Sequence, residues 1–302
     1  MELQLKNIGM IKEANVAIDG LTVIAGENDT GKSTFGKALF LLLSDKQKYL
    51  DDDVKKDKYI EIARQIPFNE DGSIHIENRH HNLVNCIFIE TPLVWNFTDF
   101  FRDIAQVESQ MNIKLDYPYF MKDLNFKFHI KSASKGLDIK EKVTALMGGE
   151  FKKDESDHYY FDKNGQRVEL VNTATGIKQF AIFQVLSQNN YLNENTVLVL
   201  DEPEVHLHPK WQLEMAKIIV ELVKNGVKVL VNSHSPYMIE ALQRYSELEN
   251  VTSDFYLAED GYIKKENDSN SETLVAIYEK LSEPYDVFEE MDSKRMEKLI
   301  NG

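Results

Sequence analysis

LTVIAGENDTGKST, residues 21–34, joins an apolar run to a glycine-framed loop. Gly26, Gly31, Lys32 and Ser33 occupy the fixed positions of the phosphate-loop pattern G-x-x-x-x-G-K-[ST]. The run Leu21–Ala25 predicts a buried strand. FGKALFLLL, Phe35–Leu43, predicts a helix directly after the loop. That strand–loop–helix context separates a phosphate cradle from an ordinary glycine-rich turn. Backbone N–H groups of Gly26, Glu27, Asn28, Asp29, Thr30, Gly31, Lys32, Ser33 and Thr34 would face the phosphates. The positive end of the following helix adds to the attraction. In such a loop the Lys32 ammonium reaches the β- and γ-phosphates, and the Ser33 hydroxyl ligates Mg²⁺.

TVLVLDEPE, residues 196–204, is a second buried-strand pattern, and it ends in the acids Asp201 and Glu202. Carboxylates at the C-terminal edge of a strand lie where α/β sheets bind their ligands. Asp201 suits the holding of Mg²⁺, and Glu202 suits the polarising of an attacking water. KVLVNSHSP, residues 228–236, is a third apolar strand. Its polar turn exposes His234, a candidate sensor of the γ-phosphate.

The order of these segments, P-loop, then DEPEVHLHP, then SHSP, resembles the ABC-type ATPases of the SMC, RecF and OLD group within the AAA-family ATPases. The opening stretch, residues 1–34, is similar to that group as well, and the resemblance covers residues 1–45 and 165–245. It implies an α/β fold: a P-loop NTPase of ABC-head architecture, with an N-terminal antiparallel β-subdomain, a parallel core sheet and an inserted helical lobe. The expected division is a discontinuous core, 1–92 and 155–302, around a lobe at 93–154. The resemblance further implies ATP and Mg²⁺ as cofactors, and a head-to-tail homodimer sandwiching two nucleotides between the P-loop and a signature motif. VNTATGIKQFAIFQVL, Val171–Leu186, is the signature candidate, read as the start of an amphipathic helix with Thr175 and Gly176 acting across the dimer. Ala174 stands where the family usually has a serine, so Thr173 and Thr175 are the two candidate hydroxyls. NCIFIE, Asn85–Glu90, takes the place of the family's Q-loop strand, with Glu90 either linked to Mg²⁺ or a plain turn residue. His206 and His208 fall in the dimer-contacting D-loop.

Composition bounds these readings. The chain has 302 residues, with 50 acidic and 35 basic, and a net charge of −15. Such a surface is not pre-charged for a nucleic-acid backbone, so DNA binding would need a local basic patch or a basic partner. The lysines between 122 and 142 alternate with acids and read as a solvated face. The single cysteine, Cys86, fits a reducing compartment. No apolar leader and no membrane-length apolar stretch is read, which makes a cytoplasmic location the expectation. Asp51–Asp53 with Lys55–Lys56 reads as a solvated charged run, and His80–His81 as a polar turn rather than a metal site.

The organisation follows. Residues 1–26 read as a strand hairpin with Asp19–Gly20 as its turn signal, and residues 59–90 as short strands around Asp71–Gly72. His158–Leu170 reads as a hairpin turning at Asn164–Gly165. Pro209 opens a helix whose apolar face is Trp211, Met215, Ile218, Ile219 and Leu222. A strand near Phe255–Leu257, a Gly261 hairpin and an acidic helix close the chain. No sustained heptads lie between P-loop and signature, and the stretch after Leu242 is short for a TOPRIM nuclease domain. The expectation is a stand-alone ATPase head whose effector, a nuclease or toxin, is a separate polypeptide. Such heads resemble ATPase subunits of antiphage defence systems. The alternatives are a RecF- or SMC-like DNA-repair ATPase and an ATP-stabilised scaffold with little turnover.

Overall fold

A computed structural model describes residues 1–44, 60–77, 85–112 and 118–301. The Asp51–Asp53 run and His80–His81 lie outside the described residues. One nine-stranded sheet carries the molecule, in the order β4-β1-β2-β12-β11-β3-β10-β9-β5. Its strands are β1 (Glu2–Ile8), β2 (Ile11–Ala17), β3 (Leu21–Ala25), β4 (Phe68–Glu77), β5 (Asn85–Ile89), β9 (Thr196–Asp201), β10 (Lys228–Ser233), β11 (Ser253–Glu259) and β12 (Tyr262–Lys264). The run β11-β3-β10-β9-β5 is parallel. The β4-β1-β2 side is antiparallel and joins the rest through β12. The N-terminal antiparallel region is therefore continuous with the core sheet.

Every residue of β3 and β9 is buried, because both faces of the parallel strands are covered. Alternate residues enter two separate cores. Val23, Leu198, Leu200, Val229 and Val231 pack into one, with helices α5 (Thr175–Gln188), α6 (Pro209–Lys224) and α7 (Pro236–Leu248). Ile24, Val197, Val199 and Leu230 pack into the other, with helix α1 (Lys32–Ser44). This period of two is what a strand's pleat imposes.

Three readings of local structure change. The hairpin of β1 and β2 turns at Gly9–Met10, and Asp19–Gly20 instead leads β2 away into β3, which pairs with β10 and β11. Asp71–Gly72 does not divide two strands. It lies in a register shift of β4 against β1, where Asn7 Nδ2 donates to Asp71 Oδ2 at 2.8 Å. Helix α5 is not amphipathic, since every residue from Lys178 to Ser187 is buried. Two of its polar side chains find partners inside: Gln184 accepts from the Phe151 amide at 2.8 Å, and Ser187 Oγ donates to Leu137 O at 2.8 Å.

Around α5 sit helices α2 (Thr98–Met111), α3 (Tyr119–His129) and α4 (Lys140–Met147), and a small sheet of β6 (Glu150–Lys153), β7 (Tyr159–Lys163) and β8 (Gln166–Glu169). Because β6 pairs with β7, this sheet runs across residue 154. Asn164 and Gly165, both at positive φ, make its tight turn. Trp95 is the joint of the region. Its ring stacks on Phe128 with centroids 4.1 Å apart and meets Tyr159 edge-on at 5.2 Å. Its indole N–H donates to Lys178 O of α5 at 2.8 Å. The final helix, α8 (Asn270–Asn301), docks its first turns on the body through Thr273 and Ile277. Among the described residues no helix is long and apolar enough to cross a membrane.

Trp95→Ala empties the stacked site and removes the indole bond to α5. It is expected to lower the unfolding free energy by about 3–5 kcal/mol, read as a denaturant midpoint. A midpoint equal to the parent's would show that the lobe is not anchored there.

Candidate functional site

The register of three parallel strands assembles the site. Ser233 stands opposite Ala25, and Asn232 opposite Asp201. The P-loop, the Asp201–Glu202 acids and the His234 turn therefore leave the sheet side by side. Glu90 leaves β5 next to them, since Ile89 stands opposite Leu200.

Gly26 is required by a close approach. A Cβ there would lie 2.3 Å from Ala258 O of β11, a backbone atom that cannot yield. Gly31 has φ +93°, and a Cβ would meet Ile11 Cγ1 at 2.6 Å. With Asp29 also at positive φ, the loop curls so that α1 begins at Lys32. Lys32 is 4% exposed, and its ammonium donates to Gly26 O at 2.9 Å, to Glu27 O and to Thr30 Oγ1 at 3.4 Å. Burial pulls its pKa down, while the charges of Glu202, Asp201, Glu204 and Glu27 pull it up. The direct partners of this cation are uncharged oxygens of its own loop.

Asp201 is 8% exposed, and its Oδ1 accepts from Ser33 Oγ at 3.1 Å and from Asn232 Nδ2 at 2.8 Å. Burial pushes the carboxyl pKa up, the bonds from Asn232 and Ser33 pull it back, and the nearby charges of Glu90 and Glu202 push it up again. A bound cation would favour the ionised form instead. The donor set fits Mg²⁺, a hard ion that takes oxygen ligands. Adjacent ligands of an octahedral Mg²⁺ stand about 3 Å apart, close to the 3.1 Å between Ser33 Oγ and Asp201 Oδ1. Asn232 Oδ1 and Glu204 Oε2 are buried with no hydrogen-bond partner among the described residues, so acceptors are to spare beside the site.

Glu202 holds φ +51°, which a residue with a side chain adopts only under constraint. The constraint is visible: its amide donates to Asn232 O at 2.9 Å, and its carbonyl accepts from the Val205 amide at 3.1 Å. His234 Nδ1 lies 3.2 Å from Glu202 Oε1 and 3.7 Å from Glu204 Oε1. Glu204, 4% exposed, fixes the turn that presents His234. Its Oε1 accepts from Ser233 Oγ at 2.7 Å, the His234 amide at 3.0 Å and the Ser235 amide at 3.2 Å.

Asn232 and Glu204 are the members that sequence reasoning missed. Asn232 had a signal, as the polar residue inside the apolar run VLVNS. It is fully buried, and its Nδ2 also donates to Lys32 O at 3.0 Å, tying β10 to the start of α1. Glu204 had a weaker one, as the second acid of DEPE.

The signature candidate sits elsewhere. Ala174 caps α5 without any side-chain hydrogen bond, and Thr175 and Gly176 are half-buried at the helix start. Thr173 is buried with its hydroxyl donating to Glu169 O at 3.0 Å, which leaves Thr175 as the hydroxyl at the surface. Gly176 faces Leu207 and His206 O, so the helix start abuts the DEPEVHLHP turn. Among the described residues no hydrogen bond joins Thr175 or Gly176 to the P-loop or to Asp201. Glu90 is exposed and pairs with Lys37 at 3.5 Å. His206 is exposed, and the His208 ring caps α6 by accepting from the Lys210 amide at 3.2 Å.

Glu204→Ala leaves the Ser233 hydroxyl and the His234 amide without this acceptor, while the Ser235 amide keeps only Ser233 Oγ. The expected loss is about 1–3 kcal/mol of unfolding free energy, measured by denaturant titration. A parent-like midpoint would remove Glu204 from the support of the His234 turn.

A model of the family described as "AAA ATPase domain" matches residues 96–239. The Old nuclease of Escherichia phage P2 is 28% identical over 143 residues, which is 46% of this chain and 23% of that protein. The chain thus spans less than a quarter of that relative's length. Among solved structures, an ATP-binding cassette of an ABC transporter in its ADP conformation is similar with a TM-score of 0.44 and 16% identity, over 94% of this chain and 96% of that one. An Smc head bound to the C-winged helix domain of ScpA gives a TM-score of 0.47 and 14% identity, over 87% and 95%. The similarity to the AAA ATPase domain family thus spans the acid-ended strand β9 and the His234 turn, and the P-loop precedes the matched stretch while its strand β3 joins the same parallel core.

Proposed function

We propose that the protein is a Mg²⁺-dependent ATPase head that closes as a homodimer on ATP and gates a separate effector. The observation that carries this reading is one hydrogen-bonded network. Ser33 and Asn232 both meet Asp201 Oδ1, and Asn232 also holds the Lys32 carbonyl, so phosphate loop and metal-ligand candidates form a single unit.

The P-loop amides of residues 26–34 would wrap the phosphates. The Lys32 ammonium would exchange its loop carbonyls for β- and γ-phosphate oxygens, a stronger, charge-assisted pairing. Ser33 and Asp201 would hold Mg²⁺, which when bound neutralises phosphate charge. Glu202 would orient the attacking water and accept its proton. His234, within 3.2 Å of Glu202, would respond to the γ-phosphate. Thr175 and Gly176, at the half-buried start of α5, would meet the nucleotide of the second protomer through the helix's N–H groups. The half-buried start of α5 supports this, since a group that acts across an interface must be reachable. In this reading residues 1–92 and 155–302 form the ATPase core and 93–154 the lobe, in a cytoplasmic protein.

The effector, a nuclease or toxin in an antiphage system, is proposed by analogy with heads that work beside such partners. A second reading, a slow scaffold stabilised by ATP, is favoured by Ala174, which removes one hydroxyl from the signature. The RecF-like DNA-repair alternative has the net charge of −15 against it.

Glu202→Gln should keep nucleotide affinity, lose turnover by at least about 100-fold and accumulate as a dimer with Mg-ATP, measured as mass in solution. A monomer at saturating Mg-ATP would refute the sandwich. Separately, Lys32→Ala should weaken ATP binding by about 100-fold or more, measured by calorimetry. Unchanged affinity would dismiss the P-loop as the site.

A further inference from the structure

Helix α8 changes character along its length. Leu274 and Ile277 are buried against the body, whereas every residue from Ser282 to Leu299 is exposed. Pro284 marks the start of this projecting half. Six large apolar side chains lie bare on it: Tyr285 (65% exposed), Val287, Phe288, Met291, Met296 and Leu299 (70%). At ~100° per residue, Tyr285, Phe288, Met291, Met296 and Leu299 fall within an arc of roughly 140°, the width of a packing face, and Leu281, half-buried against the body, continues it at the base. Val287 falls outside that arc. An apolar face of this extent marks an interaction surface.

The spacing of the stripe indicates what covers it. Leu281 with Leu299, Tyr285 with Met296, and Phe288 with Met291 are each centred at or within half a residue of position 290. The stripe therefore reads the same in both directions. That is the requirement for an isologous contact, in which one surface pairs with itself about a two-fold axis. Charge selects the antiparallel arrangement. Residues 282–290 carry Glu283, Asp286, Glu289 and Glu290 and no basic residue, whereas Lys294, Arg295 and Lys298 outnumber Asp292 and Glu297 beyond them. Parallel helices would lay acid on acid. Antiparallel ones lay the acidic half on the basic half and set Arg295 opposite Tyr285 of the second copy, where guanidinium stacks on a ring.

We propose that the projecting half of α8 is a homodimer surface, on which a second copy of this chain packs antiparallel about position 290 without any nucleotide. This contact is separate from the ATP sandwich and survives its failure. The test uses the nucleotide-free chain of residues 1–302. Sedimentation should show a dimer, and Lys32→Ala should leave it intact. Phe288→Asp and Leu299→Asp should each weaken it by about 30-fold or more, while Val287→Asp, off the stripe, should change it by less than about threefold. Direction is read by oxidation. Met291→Cys should cross-link to its own copy, and Leu299→Cys should not, because antiparallel packing puts its copies about 27 Å apart along the axis. Cys86, the native thiol, is buried. A nucleotide-free monomer at ~100 μM would overturn the proposal, even if the helix then bound lipid vesicles or another protein. Cross-linking at Leu299→Cys would overturn it by showing parallel packing.

Discussion

The pairing of β10 with β9 on one side and β3 on the other is the constraint on which the site depends. It puts Asn232 beside Asp201 and Ser233 beside Ala25. From that register one amide side chain can bond an acid of one loop and the backbone of another. Asn232 Nδ2 spans Asp201 Oδ1 and Lys32 O within 3.0 Å, fully buried. A slip by one residue would turn Asn232 to the opposite face of the sheet and break both bonds. The burial of β3, β9 and β10 on both faces prevents such a slip, because any other register would expose one core or bury the wrong side chains.

Electrostatics then concentrate at the strand ends. Asp201, Glu202, Glu204 and Glu27 lie near one buried ammonium, and Glu90 lies near Asp201. Asp201 and Glu204 are held by neutral donors: Asn232 and Ser33 for the first, and Ser233 Oγ with the amides after β10 for the second. The ammonium is held by neutral acceptors of its own loop. Lys32 therefore makes no direct pair with the acids, and burial disfavours the charged forms of both Lys32 and Asp201. The strained backbone of Glu202 belongs to the same arrangement, since its positive φ is fixed by hydrogen bonds to the neighbouring strand and loop rather than by its own side chain.

The sequence exposes this core of the structure well, and for a physical reason. Val197–Leu200, Leu21–Ala25 and Val229–Val231 are buried on both faces, so they read as unbroken apolar runs. Their polar ends stand out as ligand-bearing turns. What escaped the reading depends on distant segments. Asp19–Gly20 looks like a hairpin turn, yet it launches β3 toward partners more than two hundred residues later. Helix α5 mixes Lys178, Gln179, Gln184 and Ser187 with Phe180, Ile182 and Phe183, a pattern that suggests a solvent face. Burial of Lys178, Gln184 and Ser187 is legible only once Asn96, Thr144 and Leu137 are seen to receive them. Glu204 escaped likewise, because a buried acid is defined by donors on another strand.

The position of β3 has a consequence for how the chain reaches its working form. Both neighbours of the P-loop strand, β10 and β11, come from the last third of the sequence, and Gly26 sits against Ala258 of β11. During synthesis the phosphate loop emerges early, but its strand has no hydrogen-bonding partners until residues 228–259 have been made. Contacts of such sequence separation are slow to form. The loop therefore takes its shape late, once β10 and β11 have joined β3. An immature chain, or one truncated before β11, would carry the full phosphate motif and still lack the wall against which it curls.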